Sequence, residues 1–187
     1  MSGDRRTLAG SVEYSNPWFE VVAKRHPEET EPYFSLRMSD YVTVVALTQE
    51  REFVLVRQYR PAVEEYTLEL PAGMVEAGEA PEAAGLRELE EETGFTATRL
   101  EALGSLHSDT GRNENRVWCY LAADATPLAD WTPEPGLEVV RVAADELHEL
   151  ILREEFSHAL NLAALMKATL RRQRSLPSLF SAPTVER

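Results

Sequence analysis

The segment 73–95, GMVEAGEAPEAAGLRELEEETGF, restricts the fold of this 187-residue chain more than any other part of its sequence. Pro81 is typical of the first turn of a helix, and Gly94 is typical of the residue that ends one. Between them, Leu86 and Leu89 lie three residues apart, which places both side chains on one face. The pattern therefore predicts a helix between Pro81 and Gly94 that packs its leucine face on a sheet.

Three glutamates share another face of that helix. Glu88, Glu91 and Glu92 stand at i, i+3 and i+4, so their Cβ atoms lie about 5–6 Å apart. Carboxylates at this spacing repel one another, which raises some of their pKa values unless a cation neutralises them. Mg²⁺ and Mn²⁺ prefer oxygen ligands of this kind. Taken alone, the triplet is more typical of a solvated acidic helix face, so the surrounding sequence has to decide between the two interpretations.

Short runs that are rich in β-branched residues or alternate in polarity predict strands on both sides of this helix. They cover 18–24, 33–38, 42–47, 52–59, 67–70, 97–105, 116–122 and 138–142. Further helices are expected over 145–153 and 157–172. The last of these would have Ser157 as its N-cap. A mixed sheet enclosed between helices is the expected architecture, with an N-terminal arm over 1–40, a main domain over 41–174 and a flexible tail over 175–187.

The composition limits the classes of function. The chain has 32 Asp and Glu against 19 Lys and Arg, and its net charge is −13. This balance disfavours binding to nucleic acid or to an anionic membrane, because phosphates would meet a repulsive field. Cys119 is the only cysteine, which excludes an internal disulfide. Because the sequence has neither a membrane-spanning apolar run nor the apolar stretch of a secretory signal, we expect a cytoplasmic location.

The segment 73–95 also carries a fixed pattern of residues. Five residues separate Gly73 from Glu79, and seven more lead to the run RELEEETGF over 87–95. Together these occupy every fixed position of the Nudix signature, so the chain resembles a Nudix hydrolase. The resemblance implies an α+β fold, the Nudix-type α/β/α sandwich with a mixed sheet between helices, and a hydrolytic reaction that depends on Mg²⁺ or Mn²⁺.

The resemblance also implies roles for the residues that match the motif. Glu88 and Glu92 would be the chief metal ligands, with Glu91 assisting them or acting in catalysis through water. The backbone carbonyl of Ala72 would complete the site. Structural roles are implied for Gly73 and Gly94, which shape the two ends, and for Glu79 and Arg87, which tie the loop to the helix.

The stretch 54–79, VLVRQYRPAVEEYTLELPAGMVEAGE, is similar to the ADP-ribose and nucleoside-diphosphate-sugar pyrophosphatase branch of this family. The branch implies that a nucleotide sugar is cleaved to a nucleoside monophosphate and a sugar phosphate, by a homodimer. It assigns a phosphate contact to Arg60 and a general base to Glu138, with Glu134 in reserve. The sequence 109–112 stands where the ADP-ribose group usually has Pro-Gly, so other nucleotide sugars remain open.

Several further residues are candidate substrate contacts. Each of the arginines fits an ordinary surface cation when taken singly, but two clusters beside predicted strands fit phosphate or sugar contacts. The candidates are Arg57 beside Arg60, the pair Arg112 and Arg116, Glu69, and Trp18. In this branch a residue placed like Trp18 reaches across the dimer to stack on a nucleobase, although a core position is equally compatible with the sequence.

The remaining aromatic and glycine positions have simpler expectations. Trp118 and Cys119 are expected in the core, and Gly85 is expected to pack closely on the sheet. Trp131 lies in a proline-containing loop, where it either faces the substrate or is incidental. Two other functions stay open: a Nudix hydrolase of dinucleoside polyphosphates or other nucleotides, and a non-catalytic Nudix-fold ligand sensor.

Overall fold

The computed structural model describes residues 8–26 and 28–173. The strands in this part are β1 (Ala9–Ser15), β2 (Glu20–Arg25), β3 (Tyr33–Arg37), β4 (Tyr41–Thr48), β5 (Phe53–Arg60), β6 (Glu65–Glu69), β7 (Ala72–Met74), β8 (Phe95–Thr96), β9 (Glu101–His107), β10 (Arg116–Pro127) and β11 (Leu137–Val142). The helices are α1 (Pro81–Thr93), α2 (Ala144–Leu152) and α3 (Ala159–Gln173). None of these three helices is both long and apolar enough to cross a membrane.

Eight strands form one mixed sheet in the order β11-β5-β4-β10-β8. The remaining members extend this order, because β6 pairs with β5, β7 with β4 and β9 with β10. The central pair, β4 and β10, is parallel, and the other pairs are antiparallel. β7 therefore lies next to the centre of the sheet, with the start of α1 only a few residues further along the chain.

Both faces of this sheet are covered. In β4, Val42, Val44 and Ala46 belong to the core on the α1 side. Val45 and Leu47 belong to a second core on the side of α2 and α3. Burial on both faces explains why β4 is a continuous apolar run rather than an alternating one. The mixed sheet between helices confirms the predicted α/β/α sandwich.

The helix α1 has the predicted ends and the predicted contact at Gly85. Gly94 adopts a left-handed conformation with φ of 67° and donates its amide to the carbonyl of Glu90. A Cβ built at Gly85 would lie 3.0 Å from Leu100 Cδ1 and 3.1 Å from Val42 Cγ2. A Cβ here would require these side chains to move by a few tenths of an ångström, which favours glycine despite its cost in helix propensity of about 1 kcal/mol relative to alanine.

The N-terminal strands form a separate antiparallel sheet in the order β1-β2-β3. The loop before β10 is attached to it, because the Leu36 amide donates to the Arg112 carbonyl at 2.8 Å and the Glu114 amide donates to the Leu36 carbonyl at 2.9 Å. The Glu114 carboxylate binds Lys24 at 2.9 Å and accepts a hydrogen bond from Ser35. Partial burial of Glu114 opposes these contacts, yet together they lower its pKa to about 2.

The structure corrects three expectations about elements. The strand predicted over 97–105 begins only at Glu101, as β9, because the chain between β8 and β9 turns inward and buries Ala97 and Leu100 beneath α1. Ser157 is not an N-cap: α3 begins at Ala159, and the carbonyl of His158 accepts the first helical hydrogen bond, from the Leu162 amide at 3.0 Å. The strands β1, β7 and β8 were not predicted. The tail predicted over 175–187 lies outside the described residues.

Candidate active site

The carboxylate of Glu88 packs directly against Gly73 in β7. A Cβ built at Gly73 would lie 2.1 Å from both Cδ and Oε1 of Glu88. No other residue type leaves room for the carboxylate at this point, so the glycine is needed for the position of Glu88. Burial raises the pKa of Glu88, although Arg87 partly offsets the effect.

Glu92 is held by the residue that precedes Gly73. The backbone amide of Ala72 donates a hydrogen bond to Glu92 Oε2 at 2.9 Å. Burial of this carboxylate raises its pKa to about 8, and the nearby charge of Glu88 adds to the increase, while the hydrogen bond opposes it. At neutral pH the two glutamates therefore cannot both be ionised without cost unless a positive charge joins them.

Arg87 ties the loop 74–79 to α1, as the motif predicts. Its Nε and Nη2 donate to the two carboxylate oxygens of Glu79, both at 3.0 Å, and Nη2 also donates to the Met74 carbonyl at 3.0 Å. Its Nη1 donates to Glu88 Oε1 at 2.8 Å and to Glu91 Oε2 at 2.9 Å. The hydrogen bond to Arg87 lowers the pKa of Glu79. Arg87 thus contacts two of the predicted metal ligands as well as its structural partner.

Arg60 lies on the α1 face of β5 and is held in place by Glu69. Arg60 Nε and Nη2 donate to the two oxygens of Glu69 at 2.8 and 2.7 Å, and Thr67 Oγ1 donates to Glu69 Oε1 at 2.6 Å. The Glu69 side chain is only 4% exposed. Burial opposes its ionisation, but these hydrogen bonds outweigh burial and lower its pKa. By alternation along β5, Arg60 shares the face of Val54, toward α1, and its charge opposes the increase in the pKa of Glu92.

The sequence analysis missed Asn161, which anchors the segment between β6 and β7 from the far side of the sheet. Asn161 is fully buried in α3, and its Oδ1 accepts the Leu70 amide at 2.9 Å. The next carbonyl, that of Pro71, accepts the Val44 amide at 2.9 Å. A lone asparagine among the apolar residues of α3 was the available signal, because a buried amide side chain requires a polar partner.

Trp131 lies at the end of α1, where the sequence left its role open. Its indole Nε1–H donates to the carbonyl of Glu91 at 3.0 Å. The ring covers Gly94, since a Cβ at that position would lie 2.4 Å from Trp131 Cδ2. The loop between β10 and β11 is therefore attached to the helix turn that carries Glu91 and Glu92.

Arg57 and Glu138 form a pair of their own. They lie opposite each other in β5 and β11, and Arg57 Nη1 donates to Glu138 Oε2 at 3.1 Å. In β5, Leu55 belongs to the core beneath α3 and Val54 to the core beneath α1. By alternation Arg57 and Glu138 share the face of Leu55, away from α1. The structure thus does not bring this pair to the carboxylates of α1.

The other candidates lie near the N-terminal sheet. Arg112 donates to the Gly111 carbonyl at 2.7 Å, and Arg116 donates to Ser105 Oγ at 3.1 Å. Trp18 is 67% exposed, so the core alternative for this residue is wrong. Trp118 is partly buried and Cys119 is buried, as expected. A substrate contact by Arg112, Arg116 or Trp18 stays a prediction.

The donor set of α1 fits a hard divalent cation. Glu88 and Glu92 are neighbouring, largely buried carboxylates whose pKa values are raised by burial, and the charge of a cation between them would offset that increase. Within residues 8–26 and 28–173, no three His, Cys, Asp or Glu side chains already converge as a metal site. One reason is that the Glu91 carboxylate is bound by Arg87 and is therefore not free to join Glu88 and Glu92. Glu91 can therefore serve as a metal ligand only if its carboxylate leaves Arg87.

A model of the NUDIX domain matches residues 38–167. The chain belongs to the Nudix family. The matched range contains α1, β7 and the sheet on which they pack, and it confirms the resemblance read from the signature and the expectation of a Nudix hydrolase. The solved crystal structure of an ADP compounds hydrolase superposes on this Nudix protein with a TM-score of 0.73. The superposition covers 92% of this chain and 98% of that one at 24% identity, which confirms the fold.

Two relatives with assigned names are similar in sequence to this Nudix protein. The ADP-ribose pyrophosphatase of Bacillus subtilis is 32% identical over 133 residues, which are 70% of this chain and 72% of that protein. The ADP-sugar pyrophosphatase of Mus musculus is 43% identical over 122 residues, which are 59% of this chain and 56% of that protein. The chain thus spans most of the bacterial relative and little more than half of the mouse relative.

Proposed function

We propose that this protein hydrolyses the phosphoanhydride bond of a nucleoside diphosphate sugar, ADP-ribose or a related ADP-sugar, with Mg²⁺ or Mn²⁺ as cofactor. The products would be AMP and a sugar phosphate. The observation that carries the proposal is the buried pair Glu88 and Glu92, held by Gly73 and by the Ala72 amide. The names of the bacterial and mouse relatives support the class of substrate.

The residues of the site divide the work of hydrolysis. When bound, a divalent cation would neutralise the diphosphate oxygens and lower the pKa of the attacking water. Glu88 and Glu92 would hold it, with Glu91 and the Ala72 carbonyl as the further predicted ligands. Arg60 would contact the diphosphate, because it lies on the face of β5 that is turned toward α1 and its guanidinium is oriented by both oxygens of Glu69.

A glutamate outside α1 would take the proton from water. Glu138, the first candidate, is paired with Arg57 on the other face of the sheet. Glu134 lies in the loop that Trp131 attaches to α1. We therefore favour Glu134 as the general base, while Glu138 stays a prediction. The comparison of Glu134→Gln with Glu138→Gln decides between them, since only loss of the base removes the rise of kcat with pH that accompanies deprotonation of the base.

The proposed assembly is a homodimer whose N-terminal arms, residues 1–40, contact the partner. The described part of the arm is a three-stranded sheet in which β1 is exposed along its whole length. Tyr14 and Trp18 are also exposed, and apolar surface of this kind is typical of an interface. Light scattering that gives a stable monomer at micromolar concentration would contradict the assembly. The cytoplasmic location stays a prediction.

A substrate panel tests the proposed reaction. The purified protein is incubated with Mg²⁺ and ADP-ribose, another ADP-sugar, a UDP-sugar or a dinucleoside polyphosphate, and the products are separated by ion exchange. We expect AMP and ribose 5-phosphate from ADP-ribose, and no product after removal of metal by a chelator. Glu92→Gln should lower kcat by orders of magnitude. Glu90→Gln is the matched control, because Glu90 lies in the same helix but binds Thr96.

Two outcomes would contradict this proposal. Faster turnover of a dinucleoside polyphosphate would move the protein to the alternative class of Nudix hydrolase. Binding of nucleotide sugars without any metal-dependent product would instead favour the non-catalytic sensor.

A further inference from the structure

The loop 128–136, between β10 and β11, is joined to the C-terminal end of α1 at two points. The Leu128 amide donates to the Gly94 carbonyl at 2.7 Å. The indole Nε1–H of Trp131 donates to the Glu91 carbonyl at 3.0 Å. Within this loop, only Leu128 and Trp131 are partly buried, and the other residues are exposed. These two residues therefore determine where the loop lies on the helix.

The hydrogen bond from Trp131 satisfies a carbonyl that the helix leaves free. The last carbonyls of a helix have no intrahelical donor. The Phe95 amide, which would normally serve Glu91, donates to Thr93 Oγ1 at 3.1 Å instead. The chain then leaves the helix through Gly94, whose φ of 67° suits a glycine. Trp131 thus closes the last turn of α1 from outside the helix.

We propose that Trp131 is a positioning residue for the hydrolytic site. It holds the turn that carries Glu91 and Glu92 in a fixed relation to the loop that carries Glu134. Trp131 and Glu134 are three positions apart in the sequence, so their Cα atoms lie within about 11 Å of each other. This inference rests on the proposed function, because it links the predicted metal ligands to the favoured general base.

The position and chemistry of Trp131 support this role over simple packing. An apolar side chain of another type would cover Gly94, but it would not donate to the Glu91 carbonyl. The aromatic ring of phenylalanine retains most of the packing and lacks the indole N–H. Trp131→Phe therefore removes the hydrogen bond selectively.

The matched control is Trp118→Phe. Trp118 is also partly buried and also donates its indole N–H, in this case to Asp40 Oδ2 at 2.9 Å. Both substitutions remove one indole hydrogen bond, but only Trp131 contacts the end of α1. Any general cost of losing such a bond should appear equally in the two variants.

The test measures kcat and KM for ADP-ribose with Mg²⁺, thermal unfolding, and amide hydrogen exchange in α1. For Trp131→Phe we expect kcat to fall roughly 10- to 100-fold with KM changed less than about threefold, since small displacements of reacting groups cost rate. Exchange of the amides of residues 93–95 should accelerate in the same variant. Trp118→Phe should leave kcat and this exchange within about twofold of the parent.

The outcomes separate the inference from the proposed function. Equal kcat in the two variants, in an active enzyme, would overturn the positioning role whether or not the exchange of α1 changes. A parent protein without hydrolytic activity would overturn the proposed function and this role with it. Faster exchange in Trp131→Phe would then still show that Trp131 stabilises the end of α1.

Discussion

Glu92→Gln should stabilise the metal-free protein while abolishing its activity. Burial raises the pKa of Glu92 from its ordinary value of 4.5 to about 8. The folded protein thus retains a proton that the unfolded chain loses above pH 4.5. Between these two pH values the stability from this group falls as pH rises, because the folded state binds more protons than the unfolded state. Glutamine has no such titration and keeps an oxygen that can accept the Ala72 amide.

The expected gain in stability follows from the difference between the pKa values of Glu92 in the unfolded and the folded states. At 1.36 kcal/mol per pH unit, the raised pKa of Glu92 lowers the free energy of unfolding by about 3 kcal/mol at pH 7 and by about 5 kcal/mol above pH 9. For a chain of this length, about 3 kcal/mol corresponds to a rise in Tm of roughly 6–12 °C. Glu92→Gln should therefore exceed the parent in Tm at pH 7, and the two proteins should converge near pH 4.5.

Thermal unfolding in the presence of a chelator, measured from pH 5 to pH 9, checks this prediction. Glu90→Gln is the control, and its Tm should follow that of the parent across the range. Addition of Mg²⁺ at pH 8 should raise the Tm of the parent more than that of Glu92→Gln. A difference between Glu92→Gln and the parent that is the same at pH 5 and pH 9 would refute the reasoning, because it would show that the carboxylate ionises in the fold without cost.

Three further predictions concern the same site. The Mg²⁺ concentration needed for half-maximal activity should fall as pH rises from 6 to 8, because the cation displaces the proton of Glu92; a titration that shows no pH dependence would contradict this. Arg60→Ala should lower the free energy of unfolding by roughly 2–4 kcal/mol, since it leaves buried Glu69 without its partner, and denaturant unfolding should show that an added Glu69→Leu restores part of the loss. Gly73→Ala should weaken metal binding roughly 10- to 100-fold by displacing the Glu88 carboxylate, as measured by Mn²⁺ titration, with little change in far-UV circular dichroism.

Local pattern was sufficient to predict α1 and most of the strands. Pro81 and Gly94 limit the helix through their own backbone preferences, and the apolar run of β4 identifies a strand covered on both faces. The spacing of Glu88, Glu91 and Glu92 is also a local property of a helix. These features depend on residues close in sequence, which explains why sequence reasoning found them.

Tertiary contacts account for what the sequence did not reveal. The hydrogen bond from Trp131 to Glu91 joins residues 40 positions apart, and the bond between Leu70 and Asn161 joins residues 91 positions apart. No periodicity encodes such a pairing. Sequence position alone also could not locate Glu138. Its predicted role came from its place in the sequence, but the strand register places it opposite Arg57.

The link between Leu70 and Asn161 has a consequence for the order of events during biosynthesis. All 23 residues of the signature leave the ribosome well before α3 does. At that point the Leu70 amide lacks its acceptor, Asn161 Oδ1, and β4 is not yet paired with its parallel neighbour β10. A nascent chain at that stage displays the whole acidic motif without the support that fixes its backbone. The Leu70 amide can gain this partner only after residue 161 has been translated, so a chain cut before that residue would retain every signature residue and lack the contact that holds the segment leading into β7.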